Sequence, residues 1–146
     1  INPVIQSFNI NYRIIICGKN LPVEMNELQH YADKNIIYAG FVNDISVYFK
    51  GVDIFINPLT DGGGIKTKLV EALGYDLNVV STINGAIGVN DQLCNGKLLL
   101  VAGNNWRLFA TKMLEATGIS ATIPEKYFDY FYWENIIKKA ADIIKN

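Results

Sequence analysis

Five apolar runs of strand length recur along the chain, and each is nearly continuous in Ile, Val, Leu and Phe rather than alternating with polar residues. This pattern is typical of strands that are buried on both faces of a parallel sheet. The five runs are YRIIICG (12–18), NIIYAGFV (35–42), VDIFINP (52–58), NVVST (78–82) and KLLLVAG (97–103).

Segments with helical spacing separate these runs, and such alternation predicts a doubly wound α/β fold with right-handed crossovers. Three of them are DISVYFKG (44–51), GIKTKLVEALG (64–74) and NNWRLFATKMLEATG (104–118). We therefore predict a Rossmann-like α/β/α domain of three layers around a mostly parallel sheet of about five strands. No linker-like stretch divides the chain, so residues 1–146 are expected to form a single domain.

The C-terminal stretch, residues 124–146, predicts a helix-rich tail crowded with aromatic side chains. We expect its apolar side chains to pack on the sheet; the alternative is that some of the rings cover a partner domain. These side chains are Phe128, Phe131, Trp133, Ile136 and Ile137. The first eight residues are typical of the tail of a helix, so we also expect the chain to be a piece of a longer protein.

Composition and charge exclude some classes of function. Thirteen Lys and Arg residues against 14 Asp and Glu give a net charge of −1, which supplies no basic field for nucleic acid. Every apolar run is far shorter than the ~20 residues of a membrane-spanning helix, so we expect a cytoplasmic protein. Cys17 and Cys94 fit free thiols of a reducing compartment, with a disulfide as the alternative. His30, the single histidine, is expected at the surface.

A polar or glycine-rich loop follows each of four predicted strands. Because ligands bind beyond the carboxyl ends of the strands in an open α/β sheet, these loops predict a binding edge. They are GKNLP (18–22), GFVND (40–44), TDGGGIK (60–66) and TINGAIGV (82–89). We expect Asp44 to cap the helix after it, and Asn57 with Pro58 to end the third strand.

The three consecutive glycines 62–64 lead into a helix that is expected to begin with Ile65, Lys66 and Thr67. The first backbone amides of a helix carry partial positive charge, and glycine lets an anion approach them closely. Lys66 and Lys68 in the first turn oppose the usual preference for acidic residues there, which favours a bound anion. Two common phosphate motifs, GxxxxGK[ST] and GxGxxG, are absent.

Glu71 lies three residues after Lys68 and four after Thr67, so the three side chains share one helical face. Helical side chains lean toward the N-terminus, which brings the Glu71 carboxylate back over the glycine-rich end. A carboxylate beside an anion site suits vicinal hydroxyls, such as those of a ribose. The alternative is an exposed ion pair between Lys68 and Glu71, worth about 0.5 kcal/mol.

Residues 40–87 carry a specific order of signals: G-x-V-x-D, a strand ending in Asn-Pro, Gly-Gly-Gly-x-Lys, Leu-Val-Glu-Ala-Leu, Val-Val-Ser-Thr and Gly-Ala. This succession closely resembles the nucleotide-sugar-binding half of retaining GT-B glycosyltransferases, the glycosyl transferases group 1. The likeness extends over residues 12–103. It implies the C-terminal half of a GT-B fold, with the N-terminal acceptor domain absent and the isolated fragment inactive.

The resemblance also implies the reaction, which is transfer of a sugar from a nucleoside diphosphate donor to an acceptor with retention, by a hexosyltransferase of glycan biosynthesis. The residues it implies in donor binding are Gly18, Lys19, Phe41, Val42, Gly63, Gly64, Ile65, Lys66 and Glu71. Glu71 would take the ribose hydroxyls, residues 63–66 the diphosphate and sugar, and the first four residues the base. Lys66 and Lys68 are candidates for stabilising the leaving group.

One departure from the family concerns an acidic residue. Many members carry E-x7-E, and counting back eight residues from Glu71 reaches Gly63, so the first acid is missing and Asp61 is a nearby candidate for its role. The sequence has no Asp-x-Asp pair, so we expect neither a metal nor another cofactor. Association of the full-length protein with the inner face of the membrane stays open.

Two other classes of function remain as alternatives. A sugar-nucleotide epimerase of GT-B architecture would need catalytic carboxylates and histidines, which are scarce here. A non-catalytic α/β ligand-sensing domain would need no phosphate-binding turn.

Overall fold

The structure is a computed structural model, and it describes residues 1–144 as two compact units, Ile1–Gly51 and the residues from Val52 onward. In the first unit, strands β1 and β2 are parallel, with Ile14 opposite Ile36. Short turns of 3₁₀ helix over Val23–Lys34 connect them. The elements of this unit are α1 (Asn2–Gln6), β1 (Ile14–Cys17), β2 (Ile36–Gly40) and α2 (Ser46–Gly51).

The second unit is built on three parallel strands in the order β3-β4-β5. Ile54 lies opposite Asn78, and Val79 lies opposite Leu98. Its elements are β3 (Ile54–Asn57), α3 (Thr67–Gly74), β4 (Asn78–Thr82), β5 (Leu98–Val101), α4 (Trp106–Thr117), α5 (Glu125–Phe131) and α6 (Trp133–Ile144), with short 3₁₀ turns at Asn84–Ala86 and Asp91–Leu93.

The predicted α/β class and the parallel strands are confirmed, and all five predicted strands are present. They hydrogen-bond as two sheets, of two and three strands, rather than as the one sheet that we predict. The difference has a physical reason: an apolar run shows that a strand is buried, whereas the choice of its neighbour depends on contacts distant in sequence.

The core of the second unit forms around β4, all five residues of which are buried. Helices α3 and α4 both pack against this strand, which explains why it is apolar at consecutive positions rather than at alternate ones. Other fully buried side chains of this unit are Leu69, Leu73, Val101, Phe109 and Tyr127.

The prediction for the C-terminal tail is wrong in most of its residues. Tyr127 is the buried ring, and its hydroxyl donates to the Val70 carbonyl oxygen at 2.9 Å. By contrast Phe128, Trp133 and Ile137 are exposed, Trp133 at 73%. Ile136 is exposed as well, and Phe131 is half-buried against Tyr127. Apolar composition alone does not indicate which residues of an aromatic-rich segment face the core. No helix within residues 1–144 is long and apolar enough to cross a membrane.

Both cysteines are free thiols, as expected. Cys94 is buried, and burial together with the nearby Asp91 charge raises its thiol pKa to about 11. Cys17 is half-buried, and burial raises its pKa as well. The expectation that His30 lies at the surface is confirmed.

The loops that follow β3 and β4 are joined by a buried hydrogen-bond network. The side-chain amide of Asn57, the last residue of β3, donates to Ser81 Oγ at 3.2 Å and to the Gly85 carbonyl oxygen at 2.8 Å. The Thr82 hydroxyl donates to the Leu59 carbonyl oxygen and accepts from the Gly85 amide at 2.9 Å. Asn57 therefore ends its strand as predicted, and it also fixes the next loop.

Gly85 is the tightest point of this network, and we predict that Gly85→Ala destabilises the protein by about 1–3 kcal/mol through overpacking. An added Cβ would lie 2.7 Å from both Asn57 Nδ2 and Ser81 Oγ, and 3.0 Å from the Asn57 carbonyl oxygen. Urea unfolding followed by circular dichroism measures the change.

Gly74→Ala is the matched control, because its Cβ would meet only Phe128 Cε1 at 3.9 Å, an ordinary contact. This helical position should become neutral or slightly more stable with alanine. Equal stabilities of the two variants would contradict the proposed crowding at Gly85.

Candidate functional site

The glycine turn, defined here as residues 61–66, lies between the end of β3 and the start of α3. Gly62 and Gly64 have φ angles of +98° and +74°, which residues with a Cβ rarely adopt. Helix α3 begins at Thr67 with Lys66 as its N-cap in an extended conformation, two residues later than predicted. The later start leaves residues 61–65 exposed and outside the helix.

The ammonium of Lys66 is bound inside this turn. Its Nζ donates to the carbonyl oxygens of Gly62, Gly63 and Gly64 at 3.3, 2.8 and 3.1 Å. The side chain thus folds back on the three glycines, which lie two to four residues before it in the chain. Lys66 is close to the glycines, as the sequence predicts, but its partners in the structure are backbone carbonyl oxygens.

Lys68 and Glu71 form the ion pair that the sequence leaves as an alternative to ribose binding. Lys68 Nζ lies 2.7 Å from Glu71 Oε2, and the side chains are 57% and 42% exposed. Both groups therefore remain accessible to a ligand, and an exposed pair of this kind contributes little to stability.

A polar cavity of about 300 Å³ lies at the carboxyl ends of β3, β4 and β5. It is lined by Thr60, Asp61, Thr82, Asn84, Gly103 and Asn104. Asp61 accepts a hydrogen bond from the Thr60 hydroxyl at 3.0 Å and makes no ion pair within residues 1–144. The lining thus carries one negative charge together with neutral hydroxyl and amide groups.

In the first unit, two predicted base-lining residues lie in direct contact. Lys19 Nζ is 3.7 Å from the centroid of the Phe41 ring, a cation–π arrangement. Phe41 is 60% exposed, so a large part of its surface is accessible to a ligand. Gly18 is the residue before Lys19, and its carbonyl oxygen accepts a hydrogen bond from the Tyr38 hydroxyl at 2.8 Å. Val42 follows the ring and is half-buried.

The predicted site residues fall into two groups, one in each unit. The first unit carries Gly18, Lys19, Phe41 and Val42, and the second carries Gly63, Gly64, Ile65, Lys66 and Glu71. Their roles in donor binding stay predictions.

The sequence predicts that residues 82–89 belong to the binding edge of the second unit, but it singles out none of them. The Asn84 side-chain amide donates to the Thr60 carbonyl oxygen at 2.6 Å, which ties the fourth loop to the third. Gly88 has a φ of +85°, and a Cβ there would lie 2.4 Å from Ile65 Cγ1. Ile65 therefore packs toward the loop after β4 through its side chain. The signal available in the sequence was the pair of glycines in TINGAIGV.

The part of the chain that the structure describes holds no group of three His, Cys, Asp or Glu side chains that could bind a metal ion. The polar groups in and beside the loops after the strands are instead lysines, the separate carboxylates of Asp44, Asp61 and Glu71, side-chain amides and glycine backbone. Metal independence of the reaction stays a prediction.

A Rossmann-like α/β unit with a glycine turn before a helix is typical of proteins that bind nucleotides or their sugar derivatives. The sequence profile of the glycosyl transferases group 1 family matches residues 1–117. The chain belongs to this family, which confirms the family identified from the sequence.

Two relatives define the extent of the likeness. The chain is 30% identical over 97 residues to a 44.6 kDa protein in the cps region of Klebsiella pneumoniae. The aligned region covers 66% of this chain and 24% of that protein. The chain also resembles the crystal structure of WaaG, a glycosyltransferase involved in lipopolysaccharide biosynthesis, with a TM-score of 0.68 and 17% sequence identity. The superposed region covers 98% of this chain and 42% of the WaaG chain. The chain thus has the fold of the matched part of WaaG, one Rossmann-like part of a GT-B fold, and spans less than half the length of either relative.

Asp44 follows the loop that carries Phe41, and it accepts a hydrogen bond from the Ser46 amide at 2.9 Å, at the start of α2. Hydrogen bonds from the side chain and the backbone of Ser46 lower the pKa of the Asp44 carboxyl. Because the pKa is lower in the folded than in the unfolded chain, the Asp44 carboxylate stabilises the folded state above the unfolded pKa of about 3.9. This contribution is lost as the pH falls through the folded pKa.

We predict that Ser46→Ala raises the Asp44 pKa toward its ordinary value, because the larger of the two hydrogen-bond contributions is removed. The carboxyl ¹³C shift of Asp44, followed between about pH 2 and 6, measures the midpoint. Ser120→Ala, at an exposed serine in the second unit, is the control and should leave the midpoint unchanged. An unchanged midpoint in Ser46→Ala would contradict this assignment.

Proposed function

We propose that the chain is the donor-binding part of a glycosyltransferase that transfers a sugar from a nucleoside diphosphate sugar to an acceptor with retention. Membership of the family supports this proposal. The observation that carries it is the glycine turn at the N-terminal end of α3, with Lys68 and Glu71 exposed beside it. These groups combine exposed amides, a cation and a carboxylate, which match a diphosphate joined to a ribose.

In this proposal, the amides of Gly63, Gly64 and Ile65 face the diphosphate, and the Glu71 carboxylate accepts hydrogen bonds from the ribose hydroxyls. Only one Glu71 oxygen is bound by Lys68, so the other can accept from a hydroxyl without breaking the ion pair. Lys68 then lies between the diphosphate and the carboxylate and balances both charges.

The base is proposed to stack on the exposed face of Phe41, with Val42 beside it and Gly18 and Lys19 on the other side. Aromatic stacking on a nucleobase is worth about 1–3 kcal/mol. The Lys19 ammonium, 3.7 Å from the centroid of the ring, adds a positive charge beside the proposed base site.

The transferred sugar is proposed to contact Asp61, which would take the place of the missing first acid. The cavity beside Asp61 is large enough for one hexose, and its hydroxyl and amide groups match sugar hydroxyls. One carboxylate and no cation line the cavity, which disfavours a second phosphate there.

Charge on the leaving diphosphate would be stabilised by fixed backbone amides and lysine rather than by a metal ion. Oriented dipoles of this kind lose little energy to reorganisation during the reaction. Acceptor contacts are proposed to come from residues outside this chain, because a GT-B enzyme uses two facing domains and the chain spans 42% of WaaG. A role in glycan biosynthesis follows from the same proposal.

We predict that nucleoside diphosphates bind the chain and that Glu71→Ala weakens this binding by about 10- to 100-fold, because a hydrogen bond to a charged group is worth about 1.5–3 kcal/mol. Calorimetric titration with uridine, guanosine, adenosine, cytidine and thymidine diphosphates measures the affinities.

Glu115→Ala is the matched control. Glu115 also forms an i,i+3 pair, with Lys112 at 2.6 Å, but on helix α4 rather than beside the glycine turn. Its loss should change helix stability as much as that of Glu71 while leaving nucleotide affinity intact. Indifference of the wild-type chain to every nucleotide would instead favour a ligand-sensing domain.

A further inference from the structure

The Lys66 ammonium uses its whole hydrogen-bonding capacity within the glycine turn. A protonated lysine has three N–H donors, and the carbonyl oxygens of Gly62, Gly63 and Gly64 accept at 2.8–3.3 Å. No donor is left for a phosphate oxygen unless one of these bonds breaks. The side chain is also only partly exposed.

The conformation of the glycine turn depends, conversely, on the Lys66 ammonium. Gly62 and Gly64 have left-handed backbone angles, and three successive carbonyl oxygens converge on one point. Without a cation between them, these partial negative charges would repel each other. Three adjacent glycines also carry the highest backbone entropy of any tripeptide, so this segment has little intrinsic order.

Lys68 differs from Lys66 in its remaining hydrogen-bonding capacity. It donates one hydrogen bond, to Glu71 Oε2, so two of its donors remain, and its side chain is 57% exposed. It lies in the first turn of α3, next to the backbone amides at the start of the helix. The two lysines therefore differ in what they can offer to a ligand.

We propose that Lys66 is a positioning residue, whose ammonium holds the glycine turn in its binding shape, and that Lys68 is the lysine that contacts the diphosphate. This inference rests on the proposed function for its second half only. The rival assignment is that Lys66 leaves the carbonyl oxygens and binds the phosphate itself.

The first test needs no ligand. Backbone ¹⁵N order parameters of residues 62–64 should be near 0.85 in the wild-type chain and fall below about 0.6 in Lys66→Met. Lys66→Arg should fail in the same way, because a planar guanidinium keeps the charge but does not fit a cage built for an ammonium. Lys68→Met should leave the order parameters unchanged. Unchanged values in Lys66→Met would overturn the positioning role.

The second test uses inorganic pyrophosphate, which avoids any assumption about the base. Its affinity is measured by calorimetry at about 25 and 200 mM salt, since screening weakens direct charge contacts. Lys68→Met should reduce both the affinity and its salt dependence. Lys66→Met should also reduce the affinity, about tenfold, but it should lower the salt dependence less than Lys68→Met does, because the Lys66 charge acts on the anion only from inside the turn. Lys112→Met, which breaks the equivalent pair on α4, is the control.

The outcomes separate the two halves of the inference. If Lys66→Met loses the salt dependence and Lys68→Met keeps it, the rival assignment is correct. If the wild-type chain binds neither pyrophosphate nor any nucleoside diphosphate, the proposed function fails, and with it the role of Lys68. The order parameters would still decide whether Lys66 holds the turn.

Discussion

The buried side-chain amide of Asn57 is the interaction on which the binding edge of the second unit depends. It ends β3 with both amide hydrogens donated, one to Ser81 on β4 and one to the Gly85 carbonyl oxygen in the following loop. A buried amide left unpaired costs about 1–3 kcal/mol, so the loop must approach the strand end closely. Glycine at position 85 is the residue that allows this approach, because a Cβ would collide with Asn57.

The same network sets where the glycine turn begins. Thr82 and Asn84 donate to the carbonyl oxygens of Leu59 and Thr60, so the loop after β4 holds the chain up to the residue before Asp61. Helix α3 fixes the other end from Thr67 onward, with Leu69 fully buried. Between these anchors Ile65 approaches Gly88 in the loop after β4, and the carbonyl oxygens of the three glycines are bound by the Lys66 ammonium.

The sequence predicted the elements better than their arrangement. The strands could be found because continuous apolar runs such as residues 78–82 require burial on both faces, and β4 is indeed buried throughout. Strand pairing could not be found, since it depends on contacts between distant segments. The sequence predicts a start of α3 two residues before the observed one, because helical spacing does not reveal that the Lys66 side chain donates backward to the glycine carbonyl oxygens.

Candidate chemistry was also easier to locate than to assign. Glycines followed by two lysines and a glutamate predict a turn that binds an anion; the structure has a turn at this place, and anion binding by it stays a prediction. Whether a lysine faces a ligand or the protein depends on its rotamer, and neither spacing nor composition encodes that. The alternative of an ion pair between Lys68 and Glu71 was visible from the i,i+3 spacing, and it occurs. The contact between Lys19 and Phe41 links residues from two different strand ends, which only the parallel pairing of β1 and β2 brings together.

The Lys66 charge also affects anion binding through the electrostatics of the glycine turn. Carbonyl oxygens that converge on one point form a negative pole, which would repel a diphosphate approaching the adjacent amides. The ammonium at 2.8 Å from the Gly63 oxygen neutralises that pole at its centre. A residue that touches no phosphate can therefore raise the affinity for one, because it removes a repulsion that the backbone itself creates. This explains why a lysine, rather than the acid preferred at helix N-termini, is compatible with the first position before α3.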